Sequence, residues 1–457
     1  MDDAPFWLRE WHGQTTIHPL GLAALGVTVI LVLSLPRRYM LWPVIAIGCF
    51  VATAQRIVVF NMDWTLLRLT LLAAALRCVM LYASPSTRPR WRPIDTWLAL
   101  WLACGVAFYV LREPSMSALN NRLGWAFDYA AGYAVVRFAV RTWDDLKSLC
   151  LAVTAIAVPV SLAFINEHMT RYNIFHIFGG VREITWIRDG RLRCQGAFAH
   201  PILAGTYWAV LLPLIASQFW AREKTRRLLA ALGVACAVIV VATCSSSTPV
   251  MSVLMGAFAG GMVLLRHWLR WILLGFACLL VFLHLSMQAP VWHLISRIDI
   301  VGGSTGWHRY NLFDQWIRNF DNWALMGTSS THTWDARPVT DITNQYVLEA
   351  IRGGLLTLIM FIGMITATFM AVGRAAKATD RAGMKPEFAM VWAIGAAMFV
   401  HVVTFFGVSY FGQIILLLVA VPALAACVDE LTSHRGRAAA IGARTRMSPH
   451  AAHARRA

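Results

Sequence analysis

Charged residues are scarce in this chain: 14% of 457 residues, against 58% hydrophobic and a mean hydropathy of +0.59. A soluble protein of this length, read as about three domains, cannot hide so much apolar surface. The shortage therefore excludes disorder, a coiled coil and a secreted disulfide scaffold, and predicts a polytopic membrane protein. Metal-binding signatures are missing too. The nine cysteines form no Cys-x-x-Cys or Cys/His cluster, and seven of them (Cys49, Cys78, Cys104, Cys150, Cys236, Cys278 and Cys427) lie in or at the ends of apolar runs as structural thiols. The N-terminus has neither a basic stretch nor a cleavage site, so no cleaved signal peptide is expected. No Ser/His/Asp spacing suggests a hydrolase.

What the chain has instead is long apolar runs. A helix of about 20 such residues crosses a bilayer, and candidates fall at 17–35, 40–60, 63–83, 94–112, 120–140, 146–166, 200–220, 226–243, 249–266, 268–287, 343–372, 388–407 and 411–428. The pair at 120–140 and 146–166 reads as the least apolar. The expectation is an all-α transmembrane helix bundle of about 12–14 spans, occupying 1–428 as one membrane domain and followed by a basic tail, 429–457.

Basic residues alternate between the connections. Arg37 and Arg38, then Arg88, Arg90 and Arg92, then Arg137, Arg141 and Lys147 mark one side. Arg222, Lys224, Arg226, Arg227, Arg266, Arg270, Arg374, Lys377, Arg381, Lys385 and six tail arginines continue it. The positive-inside rule makes that side cytoplasmic, with the C-terminus inside and the N-terminus outside. The net charge of +17 then reports orientation and anionic lipid, with no nucleic-acid partner. The two long connections, 167–199 and 288–342, fall outside, where a rigid scaffold would carry functional loops.

Four arginines sit within expected spans: Arg56, Arg68, Arg77 and Arg352. Charge at that depth is costly enough to suggest function. Arg77 lies near the cytoplasmic end, where it can snorkel. Arg56 and Arg68 lie at one depth on neighbouring helices, which suits an anionic head group; alternatively one pairs with Asp63 and the other snorkels. The loop 167–199 is rich in arginine (171, 182, 188, 191 and 193), a residue that grips phosphate with two parallel hydrogen bonds. Singly, most of these also fit a solvated loop. Residues 307–324 divide into an apolar half (Tyr310, Leu312, Phe313, Trp316, Ile317, Phe320, Trp323, Ala324) and a polar half that includes Asp314. This predicts an amphipathic helix with Arg309 inside its apolar face and Ser304 or Thr305 as cap. Gly302–Gly306 lacks the lysine and the strand of a phosphate loop and reads as a flexible lead-in. His332, Asp335 and Asp341 are titratable groups of the same connection.

Several motifs together resemble the bacterial O-antigen ligase/polymerase-like membrane superfamily. Arg193-Cys194-Gln195-Gly196-Ala197-Phe198-Ala199-His200-Pro201 is similar to its Arg-x-x-Gly-x-Phe-x-x-Pro lead-in to a span. Ser245-Ser246-Ser247-Thr248-Pro249 stands at the place of its serine-rich turn. Asn121-Arg122-Leu123-Gly124, Tyr133, Arg137 and Trp143-Asp144-Asp145 resemble an upstream segment. Asp341-Ile342-Thr343-Asn344-Gln345-Tyr346, running to Gly353-Gly354, resembles its His-Asn, nine residues, Gly signature. The likeness covers about residues 120–370.

The resemblance implies a glycosyl-transfer enzyme without a cofactor. Such a protein takes a saccharide chain from undecaprenyl pyrophosphate and passes it to lipid A-core or to another saccharide, on the periplasmic side of the bacterial inner membrane. Arg193, Arg297, Arg309, Arg56 and Arg68 become the expected donor-pyrophosphate ligands. At the place of the family's histidine this chain has Thr343, which cannot serve as a base near neutral pH. Asp341 or His332 then substitutes, or leaving-group stabilisation suffices. The departure favours a polymerase-like or exopolysaccharide-assembly member over a ligase. Two other classes compete: a lipid-linked saccharide flippase, and a non-catalytic scaffold for polysaccharide assembly proteins.

Overall fold

The computed structural model describes residues 14–59, 62–81, 88–188, 190–297, 306–334 and 341–447, with backbone alone at 295–297 and 434–447. Helices make up 76% of it. In chain order they are α1 (Pro19–Ser34), α2 (Leu41–Phe50), α3 (Leu66–Leu81), α4 (Pro93–Arg112), α5 (Met116–Ala139), α6 (Trp143–Thr170), α7 (Pro201–Ala216), α8 (Lys224–Thr243) and α9 (Ser247–Gly261). They continue with α10 (Leu269–Ser286), α11 (Gly306–Arg318), α12 (Phe320–Trp323), α13 (Gln345–Arg381), α14 (Lys385–Thr404) and α15 (Ile414–Met447). Among the described residues nine helices are long and apolar enough to cross a membrane. The fold is an all-α multi-pass bundle.

The sequence expectation of about 12–14 spans exceeds this number for local reasons. A helix lies at each expected place, but α1 and α3 have 16 residues each and α2 only 10. The expected span 40–60 stops at Phe50 and gives way to a hairpin, β1 (Arg56–Val59) against β2 (Met62–Thr65), in register Arg56↔Thr65. Ile57, Val58 and Val59 are β-branched and suit a pleated ribbon, although hydropathy alone cannot separate such a run from a helix. Arg56 therefore lies on a strand, not within a spanning helix. The 24-residue α5 is too polar to qualify, as its sequence suggested, whereas α6, expected to be equally weak, qualifies.

Packing pairs α4 with α13, α6 with α8, and α5 with α15, while α7 touches α8, α9 and α14. Two ends of the bundle differ in chemistry. At the basic end, four arginines from three connections close on carboxylates of α4 and α15. Arg137 meets Glu430 at 2.8 Å and Asp95 at 3.5 Å, and Arg141 meets Glu430 at 3.1 Å. Arg374 and Arg92 share Asp429 at 3.0 and 3.5 Å. The α15 helix thus runs on past residue 428, the expected end of the membrane domain, and is fastened there. Arg77 donates to the last carbonyls of α1, at Val32 and Leu35, as a cation at a helix C-terminus should.

α10 is the exception in the packing. None of its 18 residues is buried. Its far end alone is held, where His284 stacks on Trp292 at 5.4 Å and accepts from the Val291 amide.

Candidate functional site at the loop end

The opposite end gathers the long connections, and it is built from rigid pieces. Glu167, fully buried at the end of α6, accepts from Thr185 Oγ1 (2.6 Å) and from the amides of Gln195 and Gly196 (both 3.0 Å). Asn173 and Gln413 donate to the carbonyls of Gly196 and Ala197, each at 2.8 Å. Gly196 has φ +57°, and a Cβ there would stand 2.4 Å from the Phe164 ring, so this turn requires glycine. His200 caps α7 through Nδ1, 3.1 Å from the Ile202 amide, and Pro201 opens the helix. Burial, with Arg193 and Arg188 adding repulsion, pushes the His200 imidazole down to about 4.

This clamp sets Arg193 beside the serine-rich turn. The Cys194 amide donates to the Thr243 carbonyl at 3.1 Å, and Arg193 is a charged neighbour of Cys244. Ser245 adopts φ +44°, the Cys244–Pro249 turn follows, and α9 starts with no side chain capping its first turn. From the other side Arg309 of α11 donates Nη2–H to the Thr248 hydroxyl at 3.0 Å. The residue before it, His308, places Nε2 3.0 Å from the Asp341 carbonyl. Asn344 then caps α13, accepting from Tyr346 and Val347, while the Gln345 amide donates to the Phe405 carbonyl at 2.9 Å. Gly407, two residues on from Phe405, lies against Thr248. The serine-rich turn therefore has Arg193 near Cys244 and Arg309 on Thr248, while His308 ties α11 to the Asp341 backbone.

Individual expectations fare differently. The Thr343 hydroxyl is buried without a hydrogen-bond partner. Asp341 is exposed, and the contact that places it is made by its backbone. His332 lies exposed in a short turn, Thr331–Thr333. Arg297 ends the turn Val291–Arg297; its side chain, with Ser304, Thr305 and Asp335, lies outside the described residues. Arg56 and Arg68 do share a cavity of 160 Å³ with Asp128, Gly412 and Leu416. Both are neutralised there. Arg56 meets Asp63 at 2.7 Å, and Arg68 grips Asp128 at 2.7 and 2.5 Å while also donating to the Asp63 and Gly124 carbonyls.

On α11 the polar half expected from the sequence includes Asp314, which is buried. It accepts from Trp292 Nε1 at 3.1 Å and from Arg318 at 2.7 Å, whereas Ile317 and Phe320 of the expected apolar half are exposed. His308 was not singled out from the sequence, and its position next to Arg309 was the signal for it.

The α13 helix is interrupted eight residues from its start. Gly353 and Gly354 leave helical geometry, Gly354 at φ +73° and ψ −175°. The 324–328 segment docks into the gap, with Thr328 N–H on the Ile351 carbonyl (2.7 Å) and Leu355 N–H on the Ala324 carbonyl (2.8 Å). Broken helices at membrane depth persist where protein or a cavity satisfies the freed groups. No protein-family model matches this chain, and no curated protein matches it.

Proposed function

We propose that the chain is a membrane glycosyl-transfer enzyme. It moves a saccharide chain from an undecaprenyl-pyrophosphate donor to an acceptor hydroxyl, at the loop end of the bundle. The one-sided basic residues support that end as the outer face, which in this reading is the periplasmic face of a bacterial inner membrane. The observation that carries the reading is the Arg309–Thr248 contact, because it brings an expected donor ligand onto the serine-rich turn of the resemblance at one helix start. With Arg193 near Cys244 of the same turn, two arginines and a helix start that no side chain caps are gathered at that turn, an arrangement suited to oxyanions.

The chemistry follows from those groups. The acceptor O–H gives its proton to a base and its oxygen attacks the anomeric carbon. The bond from that carbon to the phosphate oxygen breaks, and the electron pair leaves with undecaprenyl pyrophosphate. Arg193 and Arg309 stabilise the charge developing on the leaving group. With histidine absent at Thr343, the base is His308. Its Nε2–H donates to the Asp341 carbonyl, which leaves Nδ1 as the proton acceptor of the neutral tautomer. Asp341 positions that ring, and α11 lies as an amphipathic helix beside the path of the donor lipid. A polymerase-like or exopolysaccharide-assembly reaction fits this site better than ligation to lipid A-core.

A lipid-linked saccharide flippase is the competing reading, and the interrupted α13 favours it, since transporters use discontinuous helices at their binding sites. Mass spectrometry of products from purified protein and the lipid-pyrophosphate oligosaccharide decides. Released undecaprenyl pyrophosphate with a lengthened chain supports the transferase; intact donor after prolonged incubation sinks it.

A further inference from the structure

A second set of arginines stands away from α7, α9 and α11, between α4, α5 and the break in α13. Arg122, on α5, is 4% exposed and has its guanidinium 3.6 Å from the centre of the Tyr109 ring. Arg112, at the end of α4, approaches the same ring at 4.9 Å. Two cations thus share one aromatic ring. Arg352, the last residue before the Gly353-Gly354 break, is a charged neighbour of Arg122. The Nε groups of Arg112, Arg122 and Arg352 are all buried and have no acceptor.

Carboxylates nearby offset only part of this charge. Glu113 pairs with Arg112 at 3.0 Å. Glu349, buried one turn before Arg352, is a charged neighbour of both Arg122 and Arg352, but it hydrogen-bonds Trp101 Nε1 (2.8 Å) and Gln345 Nε2 (2.7 Å), and its single charge is shared between two guanidiniums. Among the described residues no carboxylate lies within ion-pair distance of Arg122 or Arg352. Burying three guanidiniums against two carboxylates leaves charge uncompensated, which is unfavourable, and in a membrane domain such residues mark ligand sites. The cluster is not sealed: the Arg112 side chain keeps 16% of its surface exposed, and Arg352 is half-buried. Backbone fixes its rim, since Arg112 Nη1 and the Thr328 amide both donate to the Ile351 carbonyl at 2.7 Å.

We propose that Arg112, Arg122 and Arg352 bind one oxyanion, a phosphate or carboxylate group, at the break in α13. The planar forks match such a group, and its charge relieves the repulsion across Tyr109. In a glycosyl-transfer reaction this group belongs to the second substrate, either the phosphate of a lipid-linked acceptor or an acidic sugar; that assignment rests on the proposed function, whereas binding itself does not.

The test uses the full-length protein carrying Arg193→Ala and Arg309→Ala, so that the loop-end site is silenced. Sodium pyrophosphate, phosphate and glucuronate are titrated separately while tryptophan fluorescence is followed. Saturable binding of at least one probe is expected, weakened about tenfold or more by Arg352→Gln and by Arg112→Gln, as for loss of one charge-assisted contact. Preference for the phosphates points to a lipid-linked acceptor, and preference for glucuronate to an acidic sugar. No saturable binding of any probe overturns the proposal, as does binding that both variants leave unchanged. Size-exclusion chromatography checks folding; should Arg352→Gln not fold, Arg112→Gln at the exposed rim decides alone.

Discussion

Arg309 reaches from α11 to the hydroxyl of Thr248 at the start of α9, 3.0 Å away. The contact closes the loop end over the serine-rich turn, and it makes Arg309 the side chain on which the proposed transfer most depends. Arg309→Ala and Arg193→Ala should each lower the rate of undecaprenyl-pyrophosphate release by about 100-fold or more, with protein levels in the membrane unchanged. A purified-enzyme assay of donor turnover checks this. Turnover near the parent rate in both variants removes the arginines from the mechanism.

His308 and Asp341 make opposite predictions. If His308 is the base, His308→Gln lowers turnover by about 100-fold to 10,000-fold. Asp341→Asn keeps the backbone carbonyl that holds the ring and should retain most activity. Single-turnover rates of the two variants compare them directly. The reverse ranking would transfer the role to the Asp341 carboxylate.

Gly354 holds a backbone conformation, φ +73° and ψ −175°, that is essentially closed to other residues. A Cβ there would also stand 2.6 Å from the Leu325 carbonyl oxygen. Gly354→Ala should therefore destabilise the protein by about 1–3 kcal/mol. Thermal unfolding in detergent measures it, and an unchanged midpoint would mean the docked 324–328 segment is dispensable.

At the basic end, Arg137 is bound to Glu430, Asp95 and the Arg90 carbonyl. Both Arg137 and Glu430 are nearly excluded from solvent, at 3% and 5% side-chain exposure. Arg137→Met leaves buried carboxylates short of a partner and should cost about 3–5 kcal/mol. Loss of folded protein, followed by fluorescence-detected size exclusion, is the expected result; a loss under about 1 kcal/mol, the range of an exposed pair, would contradict the network's role.

His200 precedes the span Pro201–Trp220 and is held neutral well below the ordinary histidine range, at about 4. The unfolded chain takes up a proton that the folded chain refuses, so stability falls as pH drops from about 6.5, the ordinary histidine value, towards 4 and levels off below. His200→Asn keeps a capping acceptor and removes the titration, so its melting temperature should vary less over that interval. Parallel slopes for parent and variant would show that other groups dominate.

Much of the helical order was legible, because long apolar runs are local signals. The hairpin at Arg56 was not, since a short β-branched run and a helix share one hydropathy. Hydropathy also located Arg68 without its partner, because Asp128 is 60 positions away and no spacing rule links them. The basic residues of the α4, α5 and α13 termini read correctly as one-sided, yet Arg92, Arg137, Arg141 and Arg374 also bind α15. Charge counts see the side but not the partner. At the candidate site the separate motifs were visible, and what joins them was not. Arg309 and Thr248 are 61 residues apart, and Asp314 is turned inward by Trp292 on a preceding turn.

The bare helix α10 has a consequence of its own. A rod whose described side chains are nowhere buried by protein takes depth and tilt largely from the surrounding lipid, much as a float takes its level from the water. With its His284 end moored to Trp292, bilayer thickness sets how far the rod leans from the bundle. Its angle is then a property of the membrane as much as of the polypeptide.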